Sequence, residues 1–338
     1  MQLKINGTDF LFFNDYSLAL KLDAVASIFS FTLRFNPDNP QHRSILKPLS
    51  YPKVEIFEDD GTLRITGNIV SHTFVSDKDP NLVTVSGYSK GGILEDCNIP
   101  LSSYPLESLS RSLQDIARRL LSPFSLNLVI DPGVASVVNG IYEKTVAEPG
   151  ETIAGYLAKL ASQRNVVLSH DARGNVVLFR PDTKAAPVFF FNKTTAQKFQ
   201  FQINGQALHS EIAVLRQPSE EDAEVSLSDK TTNPLVGIYR SGVFVLSSGK
   251  ETDTKKAADN KMASQLAAIS LTVTVEKEIT IAPGNIVEVQ NPEIYLYNRS
   301  RFMVSQVTRV KSEKGTTTTI SLVLPETYTG AQPKNIFA

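Results

Sequence analysis

Residues 87–91, Gly-Tyr-Ser-Lys-Gly, fit the pattern Gly-x-Ser-x-Gly. That spacing is used by a nucleophile elbow, in which a serine on a tight strand-to-helix turn attacks an acyl carbon. Such an elbow needs a parallel strand before Ser89, a full helix after it, and oxyanion donors from an earlier strand-to-helix loop. Upstream the chain reads as antiparallel β, and residues 92–99 leave room for about two helical turns before Pro100. The order serine, acid, histidine can be assembled from Ser89, Asp131 or Asp171, and His209, but no local spacing ties these residues together. Ser89 is read as a turn residue, and a hydrolase that uses it is the competing assignment.

The other reactive residue types are scattered. His42, His72, His170 and His209 share no HxxH or HExxH spacing, so neither a metal nor another cofactor is expected. Carboxylates cluster at Asp59-Asp60 and in the stretch 220–224, both in turn-like sequence. Solvated loops are a better reading of them than a glycosidase pair, whose members face each other across a cleft. The single cysteine, Cys97, excludes an intrachain disulfide and a cysteine-built zinc site. It follows an acidic pair without a nearby basic activator, which suits a small apolar filler rather than a reactive thiolate. EF-hand, P-loop and dinucleotide fingerprints are lacking. No catalytic constellation emerges, and a non-enzymatic role is expected.

The elements that would position these residues are mostly β. At 338 residues, 41% hydrophobic and 20% charged, the chain should fold into two or more domains. Thirty-four basic against 35 acidic side chains argue against nucleic-acid binding through a bulk basic field. The N-terminal stretch does not read as a signal peptide, and no run of about 18 apolar residues suggests a membrane span. A soluble protein made in a reducing cytoplasm is expected, with the Asn-x-Ser/Thr matches at Asn6, Asn192 and Asn298 idle.

Residues 1–97 alternate apolar and polar positions, with Asp60-Gly61 as a hairpin turn, and predict a first small antiparallel β-barrel without helix. Residues 98–183 predict an α/β module. In residues 104–121, Leu106, Leu109, Leu113, Ile116 and Leu120 fall on one face of a helix, with Pro105 in its first turn. A second helix is expected over 151–164, followed by a hairpin over 165–181 that turns at Gly174. Residues 184–215 and 280–330 predict a second barrel. Between them lies an insertion, 216–279, that begins with the acidic loop 219–224 and ends in a helix and the strand 271–276. Residues 331–338 read as a tail. The fold class is thus mainly β with α+β modules: two similar barrels, an α/β module, and an insertion in the second barrel.

A faint repeat links the two β segments. Val-Glu-Ile at 54–56 precedes Val70-Ser71, and Val-Glu-Val at 287–289 precedes Val304-Ser305, each followed by a polar turn and a Thr/Val-rich strand. Chance similarity of two β segments is the competing explanation.

At residues 85–99 the sequence resembles the baseplate hub proteins of contractile-tailed bacteriophages, the Mu-type late tail protein family. Gly87, Ser89, Leu94, Asp96 and Cys97 occupy the places of a segment that closes the family's first β-domain. Residues 149–181 look like its helix-plus-hairpin module, and residues 281–289 followed by 302–328 look like its closing strands. Pro283-Gly284 would make the second-barrel turn, although relatives often carry an aromatic before it and this chain has Ile281-Ala282 and no tryptophan. The resemblance implies a homotrimeric ring with two similar barrels per subunit. It would join a six-fold tail tube or its terminal protein to a three-fold spike, with baseplate wedge proteins and the tape measure protein as further partners. It implies assembly in the host bacterial cytoplasm and a place in the virion. The hub-like half of type VI secretion spikes is the related alternative. A carbohydrate-binding adhesin is disfavoured by 8% aromatics and no tryptophan.

Overall fold

The structure is a computed structural model that describes residues 1–10, 13–76, 81–216, 228–246 and 253–337, apart from the side chains of Arg216 and Asp253. Its first β-unit uses the strands Gln2–Ile5, Thr8–Phe10, Phe13–Lys21, Ile28–Arg34, Lys53–Phe57, Leu63–Val75 and Leu82–Ser89. Across the sheet they run Phe13–Lys21, Ile28–Arg34, Leu82–Ser89, Leu63–Val75, Lys53–Phe57, Gln2–Ile5, Thr8–Phe10, every neighbour antiparallel. Alternation in the sequence becomes alternation in burial. Val83, Val85, Gly87 and Ser89 point inward along their strand while their neighbours are half-exposed. The inward positions Leu18, Phe31, Val54, Ile65 and Val85 are fully buried in one core. Asp60-Gly61 does turn a hairpin, with Gly61 at φ +83°, where a side chain would be strained.

The second β-unit follows the same plan. Its order is Lys198–Ile203, Ile269–Val275, Gly315–Val323, Leu296–Ser312, Ile286–Asn291, Phe189–Phe191, antiparallel except for the last, parallel pair. Counting outward from the paired hairpins, the five strands from Lys198–Ile203 to Ile286–Asn291 have counterparts at the same places in the first unit, whereas Phe189–Phe191 runs opposite to Gln2–Ile5. Glu55 lies opposite Thr66 and Glu288 opposite Arg301. The same distance beyond those partners, each long strand carries a bulge, between Ile69 and Ser71 and between Val304 and Gln306. A bulge inserts one unpaired residue and kinks the strand, so two at equivalent places argue against chance. The ladders correct the sequence alignment by one position: Val70 matches Ser305, not Val304.

Three further readings change. Residues 107–112 are a strand, Glu107–Ser112, paired with Ile141–Val146, and the helix is only Leu113–Leu121. Ser112 and Asp115 form a reciprocal capping box that sets this start. Leu109 consequently lies on an exposed strand face. A short helix, Pro40–Ile45, does occur before residue 100, capped by Asn39. Finally, Ile269–Val275 is a core strand of the second β-unit rather than part of the insertion, and Glu211–Arg216 belongs to the insertion's own sheet with Ser228–Thr232 and Ser241–Leu246. The Asp253–Gln265 helix covers that sheet through Ala257, Ala258 and Met262. The expected acidic loop 219–224 lies outside the described residues.

The α/β module matches its expected second half. The helix Ile153–Gln163 is capped by Thr152, and the hairpin Val167–His170 with Val176–Phe179 turns through Gly174 at φ +82°. Its core is a separate cluster around Leu113, Leu120, Tyr142, Leu157 and Leu168. No described helix is long and apolar enough to cross a membrane.

Candidate assembly site

The feature that joins the parts is a shared ladder between the two β-units. Leu296–Ser312 outruns its neighbour Ile286–Asn291, whose pairing ends at Met303. The bulge then re-aims the strand, and its freed edge over residues 306–311 pairs antiparallel with Phe13–Lys21, Gln306 opposite Lys21 and Lys311 opposite Tyr16. Leu22 extends the seam by donating its N–H to the Ser305 carbonyl at 2.9 Å. Backbone groups at two sheet edges thus satisfy each other, and one continuous sheet runs through both units.

Beside this seam Arg309 is 1% exposed. Its guanidinium pairs with Glu58 of the first unit and donates to the Ile279 and Ile281 carbonyls of the second at 3.1 and 3.4 Å. Glu58 also receives two bonds from Arg64, at 2.7 and 2.9 Å. Burial alone would raise the Glu58 pKa, but the hydrogen bonds and charges of Arg64 and Arg309 hold it below its usual value. Tyr16, packed at the same seam, is pushed up to about 12, first by burial and then by the charge of Glu278. A buried arginine on a strand had one sequence signal. Arg309 falls two residues after Val307, in the inward phase of the alternation.

The Gly-x-Ser-x-Gly segment lies at a second joint, between the first β-unit and the α/β module. Ser89 is fully buried with φ −61° and ψ 154°, a relaxed extended conformation and not a strained elbow. Its Oγ accepts from the Ser27 N–H at 2.8 Å, and its own N–H donates to the Ser27 carbonyl at 2.9 Å. The flanking glycines have a packing reason. A Cβ on Gly87 would collide with the Asn68 carbonyl, and one on Gly91 with the Val25 carbonyl. Tyr88 donates to Asp96 at 2.7 Å, Leu94 is buried in the α/β core, and the Cys97 carbonyl accepts from Ile153 N–H at 3.2 Å. The five motif residues therefore span the joint from strand to helix.

Sequence reasoning set His209 beside Ser89, whereas the structure places His170 on Ser27, the hydrogen-bond partner of Ser89. His170 Nδ1 lies 2.7 Å from the Ala24 carbonyl, which can only accept, so Nδ1 carries the proton. Nε2 then accepts from the Ser27 hydroxyl at 2.8 Å. This is a serine–imidazole pair in form, but Ser27 is 1% exposed. The pair ties the hairpin of the module to the first β-unit. Burial depresses the His170 pKa, against the pull of the Ala24 carbonyl.

The other candidates lie elsewhere. His209 pairs with Gln265 in the insertion, Asp131 caps a turn at Gly133, and Asp171 accepts from the Arg173 and Asn175 N–H groups within its hairpin turn. His42 accepts from the Asn36 N–H, and His72 stacks on Phe74. Among the described residues no three His, Cys, Asp or Glu side chains are grouped as metal ligands.

Where both joints meet there is a cleft of about 500 Å³, lined by Ser27, Arg64, His170, Arg180, Pro283 and Gly284 among others. Gly284, at φ +87°, donates to the Val304 carbonyl at 2.8 Å and faces Leu22 of the first unit. Pro283-Gly284 thus forms a turn of the second unit beside Leu22 of the first.

Residues 91–180 match the family model of the second domain of gp44-like baseplate hub proteins. The whole chain has the fold of a tail protein from Neisseria meningitidis MC58, with TM-score 0.78 and 22% identity over 97% of each chain. It likewise matches the 43 kDa tail protein of prophage MuSo2 from Shewanella oneidensis at TM-score 0.77 and 19% identity, over 97% of this chain and 99% of that one. The E. coli c3393 protein, a type VI secretion component described as similar to the T4 tail proteins gp27 and gp5, matches at TM-score 0.59 and 12% identity, over 99% and 80%. No protein of curated function matches the sequence.

Proposed function

We propose that this chain is a structural subunit of a phage-tail baseplate, three copies of which close into a hub ring between the tail tube and the central spike. The observation that carries this reading is the repeat itself, two units with the same strand order and the same bulge, joined by one seam. Three such chains present six similar units around an axis. A ring of that kind offers six-fold spacing to a tube and three-fold spacing to a spike, and it closes without a free edge. The two β-units form its wall, while the 98–183 module and the insertion lie outside it or toward the spike. The spike, the tube or its terminal protein, the wedge proteins and the tape measure protein are its partners. It is made in the bacterial host and resides in the virion.

The buried, relaxed Ser89 favours a scaffold over a hydrolase. The test is the mass of the purified full chain by light scattering. A particle near three times 37.1 kDa supports the ring, and a stable monomer overturns it.

A further inference from the structure

The repeat makes a statement about the outer edges that the seam does not use. Mapping the first unit onto the second through the ladders places residues 71–76 where 306–311 stand, and residues 199–204 where Tyr16 to Lys21 stand. Residues 306–311 and Phe13–Lys21 are the two sides of the seam. Their counterparts, 71–76 and 199–204, are both unpaired on the corresponding edge among the described residues. Leu63–Val75 loses its neighbour Lys53–Phe57 after Asn68, and Lys198–Ile203 pairs only with Ile269–Val275.

We propose that these two edges are the two halves of an intermolecular seam, in which residues 71–76 of one chain pair antiparallel with residues 199–204 of a second copy. The register is copied from the intrachain seam: Ser71 opposite Asn204, His72 opposite Ile203, Thr73 opposite Gln202, Phe74 opposite Phe201. This rests on the ring reading above and adds which strands meet and in what alignment.

Exposure follows the same mapping. Ile203 is 49% exposed where its counterpart Leu20 is 7% exposed, and Phe74 is 42% exposed where Arg309 is 1% exposed. Phe201 is partly buried where Leu18 is fully buried. Ile203 and Phe74 are thus open at the outer edges where the intrachain seam covers their counterparts, and both are apolar, while Phe201 packs on Phe302 and Phe337. Long apolar edge strands are what soluble proteins otherwise shield with charge, proline or a covering loop. The two edges differ from each other, so the contact is head-to-tail. It uses one edge of each kind per chain and ends only when a ring shuts.

The register gives a test by cysteine pairing in the full chain with Cys97→Ser. Thr73 and Gln202 lie on the outward face of their strands, opposite each other in the proposed ladder, at a separation of about 5 Å that a disulfide spans. Thr73→Cys with Gln202→Cys is expected to give a covalent trimer on a non-reducing gel, lost on reduction. Thr73→Cys with Gln200→Cys is displaced by two residues, about 7 Å along the strand, and should not cross-link. Light scattering on the same samples separates the two ideas. A trimer without the matched cross-link, or with the displaced one instead, overturns this seam and leaves the ring. A monomer overturns both.

Discussion

Replacing Arg309 by Met probes how much the seam between the β-units depends on its buried charge. Met keeps most of the side-chain volume and removes the guanidinium. The Glu58 carboxylate then loses one of its two cations, and the Ile279 and Ile281 carbonyls lose their donor. Removing one partner of a buried ion pair typically costs about 3–5 kcal/mol. Arg64 still holds Glu58 through two bonds, so the lower end, about 3 kcal/mol, is expected. Glu58→Gln alone should cost less, because the amide oxygen still accepts from Arg64. The double variant should be more stable than the sum of the singles by about 1–2 kcal/mol, since each single leaves a buried partner that the double removes. Urea unfolding, followed by circular dichroism and by emission of the 10 tyrosines without tryptophan background, measures all four proteins. Acid adds a second readout. The folded pKa of Glu58 lies below its ordinary 4.5, so its contribution is complete above that value and is lost as pH falls through the folded value. In Arg309→Met that loss should begin at higher pH. Additive singles, or an unshifted acid limb, would refute the claim that Glu58 and Arg309 clasp the two units together.

Ser89→Ala should leave the Ser27 N–H without its side-chain acceptor in a buried site and cost about 1–3 kcal/mol in urea unfolding, whereas a catalytic serine would show lost ester or peptidoglycan turnover at unchanged stability. His170 titrates below its ordinary 6.5 in the folded chain, so the unfolded chain binds more protons between the two values. Its contribution is therefore complete above about 6.5 and is lost as pH falls through the folded value. A stability profile from pH 8 to 5 should show that decline, and His170→Gln should flatten it. Gly284→Ala forces a Cβ into the left-handed region next to Leu22 and should destabilise by about 1–2 kcal/mol, while Gly205→Ala, which meets no neighbour, should change little in the same thermal melt.

Much of the fold could be read from local pattern, because a strand with one buried face must alternate. Residues 269–275 announce their inward face by Ile269, Leu271, Val273 and Val275, and residues 82–85 begin theirs with Val83 and Val85. The hairpin turns at Gly61 and Gly174 follow from the backbone those positions require. Helical spacing in 104–121 misled for a reason of the same kind. Leu106 and Leu109 keep the period, but the capping box at Ser112 and the pairing with Ile141–Val146 give residues 107–112 a better use as a strand. The Gly-x-Ser-x-Gly segment could be dismissed as an elbow from its neighbours in sequence, yet its partner Ser27 comes from 62 residues away, and the His170 that Ser27 in turn binds lies 143 residues from Ser27, so neither left a local trace.

Side-chain period and backbone preference within a few residues were enough to mark most strands, the turns at Gly61 and Gly174 and the hint of a repeat, because each of these is a local property. The shared bulge, the meeting of Arg309 with Glu58 and the strand of one unit that completes the sheet of the other emerge in the folded chain alone. Edge pairing is made by backbone groups common to every residue. Which edges meet is therefore set by shape and by what each neighbouring strand leaves uncovered, and no side-chain pattern along the chain encodes it.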